Sequence, residues 1–223
     1  MSQAGDRILE CYRVLRKSQA NIVGELLKGQ GEFFEWDHYP SGDVYDHETH
    51  SQYYYHAHPP EDRSLKWGSE HGHIHIFLRP LGMPAGIKAA RLPDYQKLTG
   101  ENDELSHLIA ISMDSSGLPI RLFTTNRWVT GETWYDADDV CKMLDQFDID
   151  LAWPSWPVNV WVTNMLRLFR PQIVQLVQQR DVRVAELASQ HPIENIYENR
   201  SYDVTSILDI SVEDQIRSLR LPL

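Results

Sequence analysis

Eight of the ten histidines in this 223-residue chain fall within residues 38–75. Five of the eight lie in two short segments, 52–58 and 70–77, whose aromatic and β-branched residues favour strands. Side chains two residues apart point to the same face of a strand. If the two strands pair with these faces aligned, the spacing predicts one surface lined by five imidazoles: His56, His58, His71, His73 and His75.

Neutral imidazole is the commonest protein ligand for transition metals, and cross-strand neighbours with Cβ atoms about 5 Å apart can share one ion. His71 and His75 lie about 13 Å apart along a strand that rises about 3.3 Å per residue, so they do not share one ion easily. We therefore expect the ligands to be His56, His58 and His73 with either His71 or His75. The fifth histidine would support a ligand or belong to a second metal site.

Two other interpretations of the histidines stay open. They could form a hydrogen-bonded network in a substrate pocket, where they would bind a polar or anionic small molecule. They could also form a solvated surface without a ligand. Two His-x-His pairs in phase, with a third histidine added, favour the metal site over both.

Oxygen-bearing side chains accompany the histidines. Tyr54 shares a strand face with His56, which suggests redox chemistry near an iron or copper ion, or simple packing. Glu70 is the nearest candidate for the general base of zinc-dependent hydrolysis, although a regular strand turns it to the face opposite His71. Three further acidic residues could act as ligands or hold ligands in place: Asp43, Asp46 and Glu61.

Candidate substrate contacts follow the strand predicted at 119–126. Asn126, Arg127 and Trp128 combine polar and aromatic side chains, which is typical of a pocket wall. His107, in the preceding strand, could join the histidine surface or lie at the edge of the core bonded to backbone. Its alternation with Ile109 and Ile111 favours the second position.

The elements that must position these residues can be predicted from periodicity and turn signals. Residues 6–28 form an amphipathic pattern that Gly29 ends, and 32–39 is a candidate first strand. Residues 42–51 are polar and predicted to be irregular, and 59–69 read as a long hairpin loop between the histidine strands. Residues 79–100 form a long connection that could act as a lid. Residues 105–114 and 119–126 form a hairpin.

The last third of the chain is mainly helical. A capping pattern begins a helix at Asp136, and a longer helical region from 157 onwards should divide near residues 169–170, because Pro171 follows. Residues 199–209 resemble a strand, and a short helix follows Ser211. These elements predict an α+β fold with a mainly antiparallel sheet of about 4–5 strands. One domain would contain an N-terminal helix (1–30), the histidine-rich sheet (32–134) and a helical part (135–223).

Composition narrows the functional classes. The formal net charge of −11 argues against binding to nucleic acid or to an anionic membrane, since both depend on clustered Lys and Arg. The N-terminus lacks the pattern of a signal peptide and no long apolar stretch occurs, so we expect a cytoplasmic protein. Cys11 and Cys141 are isolated and read as core residues. The C-terminal helices could serve homo-oligomerisation or a partner protein.

Several strings in the chain resemble an uncharacterised family of bacterial proteins with a domain of unknown function. They are Gln52-Tyr53-Tyr54-Tyr55-His56-Ala57-His58, Glu70-His71-Gly72-His73 and Asn126-Arg127-Trp128-Val129-Thr130-Gly131-Glu132. The resemblance covers roughly residues 35–135 and implies a distinct fold but no activity.

The residues themselves predict a protein that binds a transition metal, either iron, copper or zinc. A metal-dependent oxidoreductase or oxygenase that uses iron or copper and a small-molecule substrate is the first enzyme hypothesis. The alternatives are a zinc-dependent hydrolase and a non-catalytic metal carrier, sensor or accessory subunit.

Overall fold

The computed structural model describes residues 1–59, 68, 70–93 and 96–220. The helices are α1 (Ser2–Lys17), α2 (Ile22–Leu27), α3 (Arg127–Thr130), α4 (Ala137–Met143), α5 (Trp156–Leu168), α6 (Arg170–Gln190) and α7 (Val212–Arg220). The strands are β1 (Tyr39–Tyr45), β2 (Ser51–His56), β3 (Glu70–Leu78), β4 (Ser106–Asp114), β5 (Pro119–Thr125) and β6 (Val204–Asp209). Short 3₁₀ helices occur at Pro80–Gly82 and Ile196–Glu198.

The strands form one six-stranded sheet in the order β1-β2-β3-β4-β5-β6, and every neighbouring pair is antiparallel. The predicted α+β class is therefore confirmed, with six strands instead of four or five. One face of the sheet carries Tyr53, Ile74 and Ile111, which are buried in a core shared with α1, α5 and α6. The Tyr53 hydroxyl donates to Asn159 Oδ1 of α5 at 2.5 Å, which ties this face to the helices. The opposite face carries the histidines.

The prediction for the first strand is wrong. It was expected at 32–39, but β1 begins at Tyr39 and continues into the segment expected to be irregular. β1 is an edge strand, so Pro40 interrupts no interior hydrogen-bond ladder. Gly42 and Asp43 have φ values of 85° and 59°, and they absorb the register shift between Tyr39 and Val44.

The predicted N-terminal helix is two helices. Gln19, between α1 and α2, has a φ of 55°, which a continuing helix does not allow. The side chain of Asn21 then accepts a hydrogen bond from the backbone N–H of Gly24 at 2.7 Å and caps the start of α2. Both helices still bury the predicted apolar stripe, including Ile8 and Ile22.

The predictions for the chain from β4 onwards agree better with the structure. The long helical region divides at Phe169, between α5 and α6, as expected from Pro171. The β4–β5 hairpin occupies the predicted segments. The strand predicted at 199–209 begins only at Val204, and Ser211 Oγ accepts from the backbone N–H of Asp214 at 3.1 Å at the start of α7. None of the described helices is long and apolar enough to cross a membrane.

Two β-bulges between β3 and β4 decide which side chains reach the histidine face. Glu70 pairs with Asp114 and Gly72 with Met113, so His71 is an extra residue in β3. Further along, the pairing moves from Ile109 to His107 between consecutive residues of β3, so Leu108 is an extra residue in β4. Each extra residue shifts the alternation of its strand by one position, which changes the face of everything beyond it.

Candidate metal centre

The pairing of β2 with β3 brings three histidines together. His56 lies directly opposite His73, and His75 lies opposite Tyr54, so all three imidazoles share one face of the sheet. Each can place one ring nitrogen within 4.8 Å of the other two. We call His56, His73 and His75 the histidine cluster, and it could hold a metal ion.

The nitrogens of the cluster converge almost as metal coordination requires. Two nitrogens at about 2.1 Å from a tetrahedral zinc ion lie about 3.4 Å apart. Nε2 of His56 is 2.7 Å from Nε2 of His73, and Nε2 of His58, which is not part of the cluster, lies 3.3 Å from Nε2 of His56. Nε2 of His75 is buried without a hydrogen-bond partner in the described residues. An unpartnered buried nitrogen beside converging imidazoles fits a bound ion, which would complete its coordination.

His73 is oriented by a carboxylate. Its Nδ1 lies 2.9 Å from Glu70 Oε1, and the Ser112 hydroxyl donates to the other Glu70 oxygen. Burial alone would raise the pKa of Glu70, but the interactions with His73 and Ser112 outweigh it and hold this pKa below its usual value. An ionised Glu70 accepts the proton of His73 Nδ1, which leaves the lone pair of Nε2 free for a metal.

His75 is oriented by another histidine. Its Nδ1 lies 3.0 Å from Nε2 of His107, whose Nδ1 lies 3.3 Å from the Thr125 hydroxyl. Burial, reinforced by nearby basic side chains, lowers the pKa of His107 to about 3 and that of His56 to about 2. At neutral pH both are neutral imidazoles, the form that binds metals.

The expectation that His71 shares a face with His73 is wrong. His71 Nδ1 is hydrogen-bonded to the hydroxyl of Tyr55, whose ring belongs to the main core, and its ring lies 5.9 Å from that of Phe33. The expectation that Glu70 faces away from the cluster is also wrong. Both errors have one cause: His71 is a bulge residue, and the bulge reverses the alternation of β3.

The favoured prediction for His107, a position at the edge of the core, is also wrong. Alternation from Ile109 would place its side chain on the core face, but Leu108 is an extra residue. Leu108 and Ile109 both contribute to the core, and His107 turns to the histidine face, where it contacts His75. The regular two-residue period could not reveal this.

Aromatic rings surround the cluster. Tyr54 stacks on His38 at 3.6 Å between ring centroids and lies 5.3 Å from His75. Burial raises the pKa of Tyr54, so its hydroxyl stays protonated. The Phe123 ring meets His73 edge-on at 5.2 Å. His73 and His75 are 6% and 1% exposed, so these rings contribute to a site with little water around it.

The other candidate oxygen ligands are engaged elsewhere or lie outside the described residues. Asp43 accepts from Gln52 Nε2 at 2.7 Å, and Asp46 accepts from the backbone N–H groups of Glu48 and Thr49. These bonds hold the β1–β2 connection. Glu61, like most of the loop predicted at 59–69, is not among the described residues.

The three predicted substrate contacts tie α3 to the segment before β6. Asn126 is buried, donates to the Ile196 carbonyl at 2.8 Å and caps α3. Trp128 Nε1 donates to the Tyr202 carbonyl at 2.8 Å. Arg127 donates to Glu198 Oε1 at 2.6 Å and also lines a cavity. The bonded residues lie far apart in the sequence, so no local sequence pattern could have predicted these hydrogen bonds.

Replacing Glu70 with Gln should lower metal affinity about 10- to 100-fold, since residues that orient a ligating histidine typically contribute that much. The amide cannot serve as a charged acceptor for His73 Nδ1–H. Competition with a chromophoric chelator would measure the change in Kd. Glu101→Gln, at an exposed position, is the matched control and should leave Kd unchanged. Equal affinity in the two variants would rule out this role for Glu70.

Comparison with known proteins gives a match to a family whose function is unknown. A family model described as a domain of unknown function (DUF6969) matches residues 2–210. No curated protein and no solved structure matches significantly.

Proposed function

Because the chain belongs to the family of the domain of unknown function DUF6969, whose description assigns no activity, we propose a function from the site itself. The protein binds one transition-metal ion through Nε2 of His56, His73 and His75. Neutral nitrogen ligands suit iron, copper and zinc alike. The observation that supports this most is the buried, unpartnered Nε2 of His75 beside two converging imidazoles.

We further propose that the metal centre is catalytic and that the protein is a metal-dependent oxidoreductase or oxygenase. Three protein ligands leave a coordination position for substrate, as in known catalytic sites. The bound ion would supply Lewis-acid or redox chemistry at that position. The neighbouring aromatic rings restrict water, and Tyr54, whose hydroxyl stays protonated, places its ring 5.3 Å from that of His75. His56 is only half buried, unlike His73 and His75, so a small substrate would approach from its side.

Zinc-dependent hydrolysis finds less support. A general base needs a carboxylate that is free to accept a proton from water. Both Glu70 oxygens already accept hydrogen bonds, one from His73 and one from Ser112. Glu70 is better explained as a positioning residue for His73.

A closed, non-catalytic site is the second candidate function. His58 favours it, because its Nε2 lies 3.3 Å from Nε2 of His56 and could complete a four-histidine set. A fully coordinated ion would suit a metal carrier or sensor. His58→Ala separates the two functions: an open site should keep its metal, whereas a closed site should bind it more weakly and admit exogenous azide.

Elemental analysis of untagged protein purified without chelator is the direct test. We expect about one iron or copper ion per chain, together with oxygen consumption when candidate substrates are supplied. Stoichiometric zinc would favour the hydrolase or carrier instead. Absence of metal even after reconstitution with Fe(II), Cu(II) and Zn(II) would overturn the proposal and leave a hydrogen-bonded histidine network.

A further inference from the structure

A row of ring side chains leads from the protein surface to the histidine cluster on the side of His56. The outermost ring is that of Trp36, which lies 4.2 Å from the ring of His58 between centroids. Nε2 of His58 lies 3.3 Å from Nε2 of His56. A single imidazole therefore separates the Trp36 side chain from a proposed metal ligand.

Trp36 is unusually exposed for a side chain of its size. It is 53% exposed, so its contact with His58 leaves much of its surface accessible. Phe33 and Phe34, just before it in the chain, are exposed as well. Single exposed apolar residues are common, but exposed apolar residues that cluster beside a site often mark a surface that binds a ligand.

The segment that carries Trp36 is held in place. The backbone N–H of Trp36 donates to the Ala57 carbonyl at 2.9 Å, and its φ of 71° is one that residues other than glycine rarely adopt. Two residues earlier, the backbone N–H of Phe34 donates to the hydroxyl of the buried Tyr39 at 2.6 Å. A surface ring that is already fixed loses little conformational freedom when a ligand binds, which favours binding.

A second ring borders the same side of the cluster. The His38 ring stacks on Tyr54 at 3.6 Å and meets the His56 ring at 5.8 Å, edge to face. Its Nδ1 lies 3.1 Å from Asp43 Oδ1, and 44% of its side chain is exposed. Flat rings interact well with other flat rings in offset or edge-on arrangements. The approach to His56 therefore favours a ligand with a planar ring over one with an aliphatic group.

We propose that Trp36 and His38 select the substrate of the metal centre and that this substrate carries an aromatic ring. The ring would pack on Trp36 while a polar group of the same molecule reaches the open coordination position. This inference rests on the proposed function, because it assumes a metal ion with an open position at the histidine cluster.

Binding of three substituted imidazoles to the cobalt(II)-loaded protein tests the proposal, because all three carry the same metal-binding ring. They are 4-methylimidazole, 4-cyclohexylimidazole and 4-phenylimidazole, used at a pH where each is neutral. Visible absorption of the ion measures binding, and elemental analysis of the same samples measures the metal content. We expect the phenyl compound to bind at least about tenfold more tightly than the methyl compound, because its larger apolar group is buried on Trp36. It should also bind about threefold more tightly than the cyclohexyl compound, because only an aromatic ring can stack.

Variants at Trp36 show whether this residue causes the preference. Trp36→Ala should keep its metal and bind 4-methylimidazole as the wild type does, but its preference for the phenyl compound over the methyl compound should fall below about twofold. Trp36→Phe should retain most of the preference, since it keeps an aromatic ring. Trp156→Ala is the matched control, because Trp156 is 52% exposed and begins α5, which packs on the opposite face of the sheet. It should behave like the wild type.

The contrary results separate this inference from the proposed function. A protein without metal, or one that holds metal but binds none of the three compounds, has no open metal centre, and both proposals are then wrong. If 4-methylimidazole binds but the phenyl compound binds no more tightly, only the aromatic substrate is excluded. The same conclusion follows if the cyclohexyl compound binds more tightly than the phenyl compound, or if Trp36→Ala keeps the full preference.

Discussion

Replacing His73 with alanine is expected to lower metal affinity by more than 100-fold, so that the purified variant contains almost no metal. His73 lies between His56 and His75, and Glu70 orients it for coordination. Losing a ligand should cost more than losing the residue that orients it, which already costs about 10- to 100-fold. Elemental analysis and chelator competition on the wild-type and variant proteins measure the effect.

His71→Ala is the matched control for this variant. His71 lies only two residues away, but its ring bonds to the Tyr55 hydroxyl and not to the cluster. The variant should retain about one metal ion per chain even if its stability falls. If it lost metal as completely as His73→Ala, the assignment of His56, His73 and His75 as the ligands would be wrong.

Removing the metal is expected to lower the melting temperature by about 8–16 °C. An ion that binds only the folded state at about 1,000 times its Kd stabilises that state by about 4 kcal/mol. One kcal/mol corresponds to about 2–4 °C for a chain of 150–250 residues. The ion would also complete the coordination of His75 Nε2, which is otherwise buried without a partner. Thermal unfolding before and after dialysis against EDTA measures the shift.

The His73→Ala protein is the control for this measurement, because it has no ion to lose. EDTA should leave its melting temperature unchanged, within about 1 °C, and adding metal back should restore only the wild-type protein. An equal shift in both proteins would show that the chelator acts elsewhere, and no shift in the wild type would contradict tight binding to the folded state.

Short sequence patterns correctly predicted the elements that depend mainly on residues close together in the sequence. The β4–β5 hairpin follows from two β-rich segments around Gly117, and the division between α5 and α6 follows from Pro171. β1 escaped prediction because it contains Pro40 and Gly42, which strands usually exclude. Only its place at the edge of the sheet, next to β2, makes those residues acceptable, and that place is a tertiary property.

The candidate metal centre, too, could be predicted from the sequence only in part. The two-residue period correctly brought His56, His73 and His75 to one face, since β2 and β3 pair regularly there. It failed for His71 and His107, because the bulges arise from the pairing of β3 with β4 and not from either strand alone. One extra residue hardly alters the sequence pattern of a strand, but it moves the side chains beyond it to the opposite face of the sheet.

The bulge at His71 also marks a position in β3 where one residue could be deleted without moving Glu70 away from the face of His73. Without His71, Glu70 and Gly72 would be consecutive, matching Asp114 and Met113 in an unbroken ladder. Glu70 would then reach the face of His73 by ordinary alternation. A deletion inside a central strand normally scrambles everything beyond it, but here it would preserve the arrangement. A chain without His71 would therefore keep Glu70 beside His73, and its sequence would align to this one with a gap at that position.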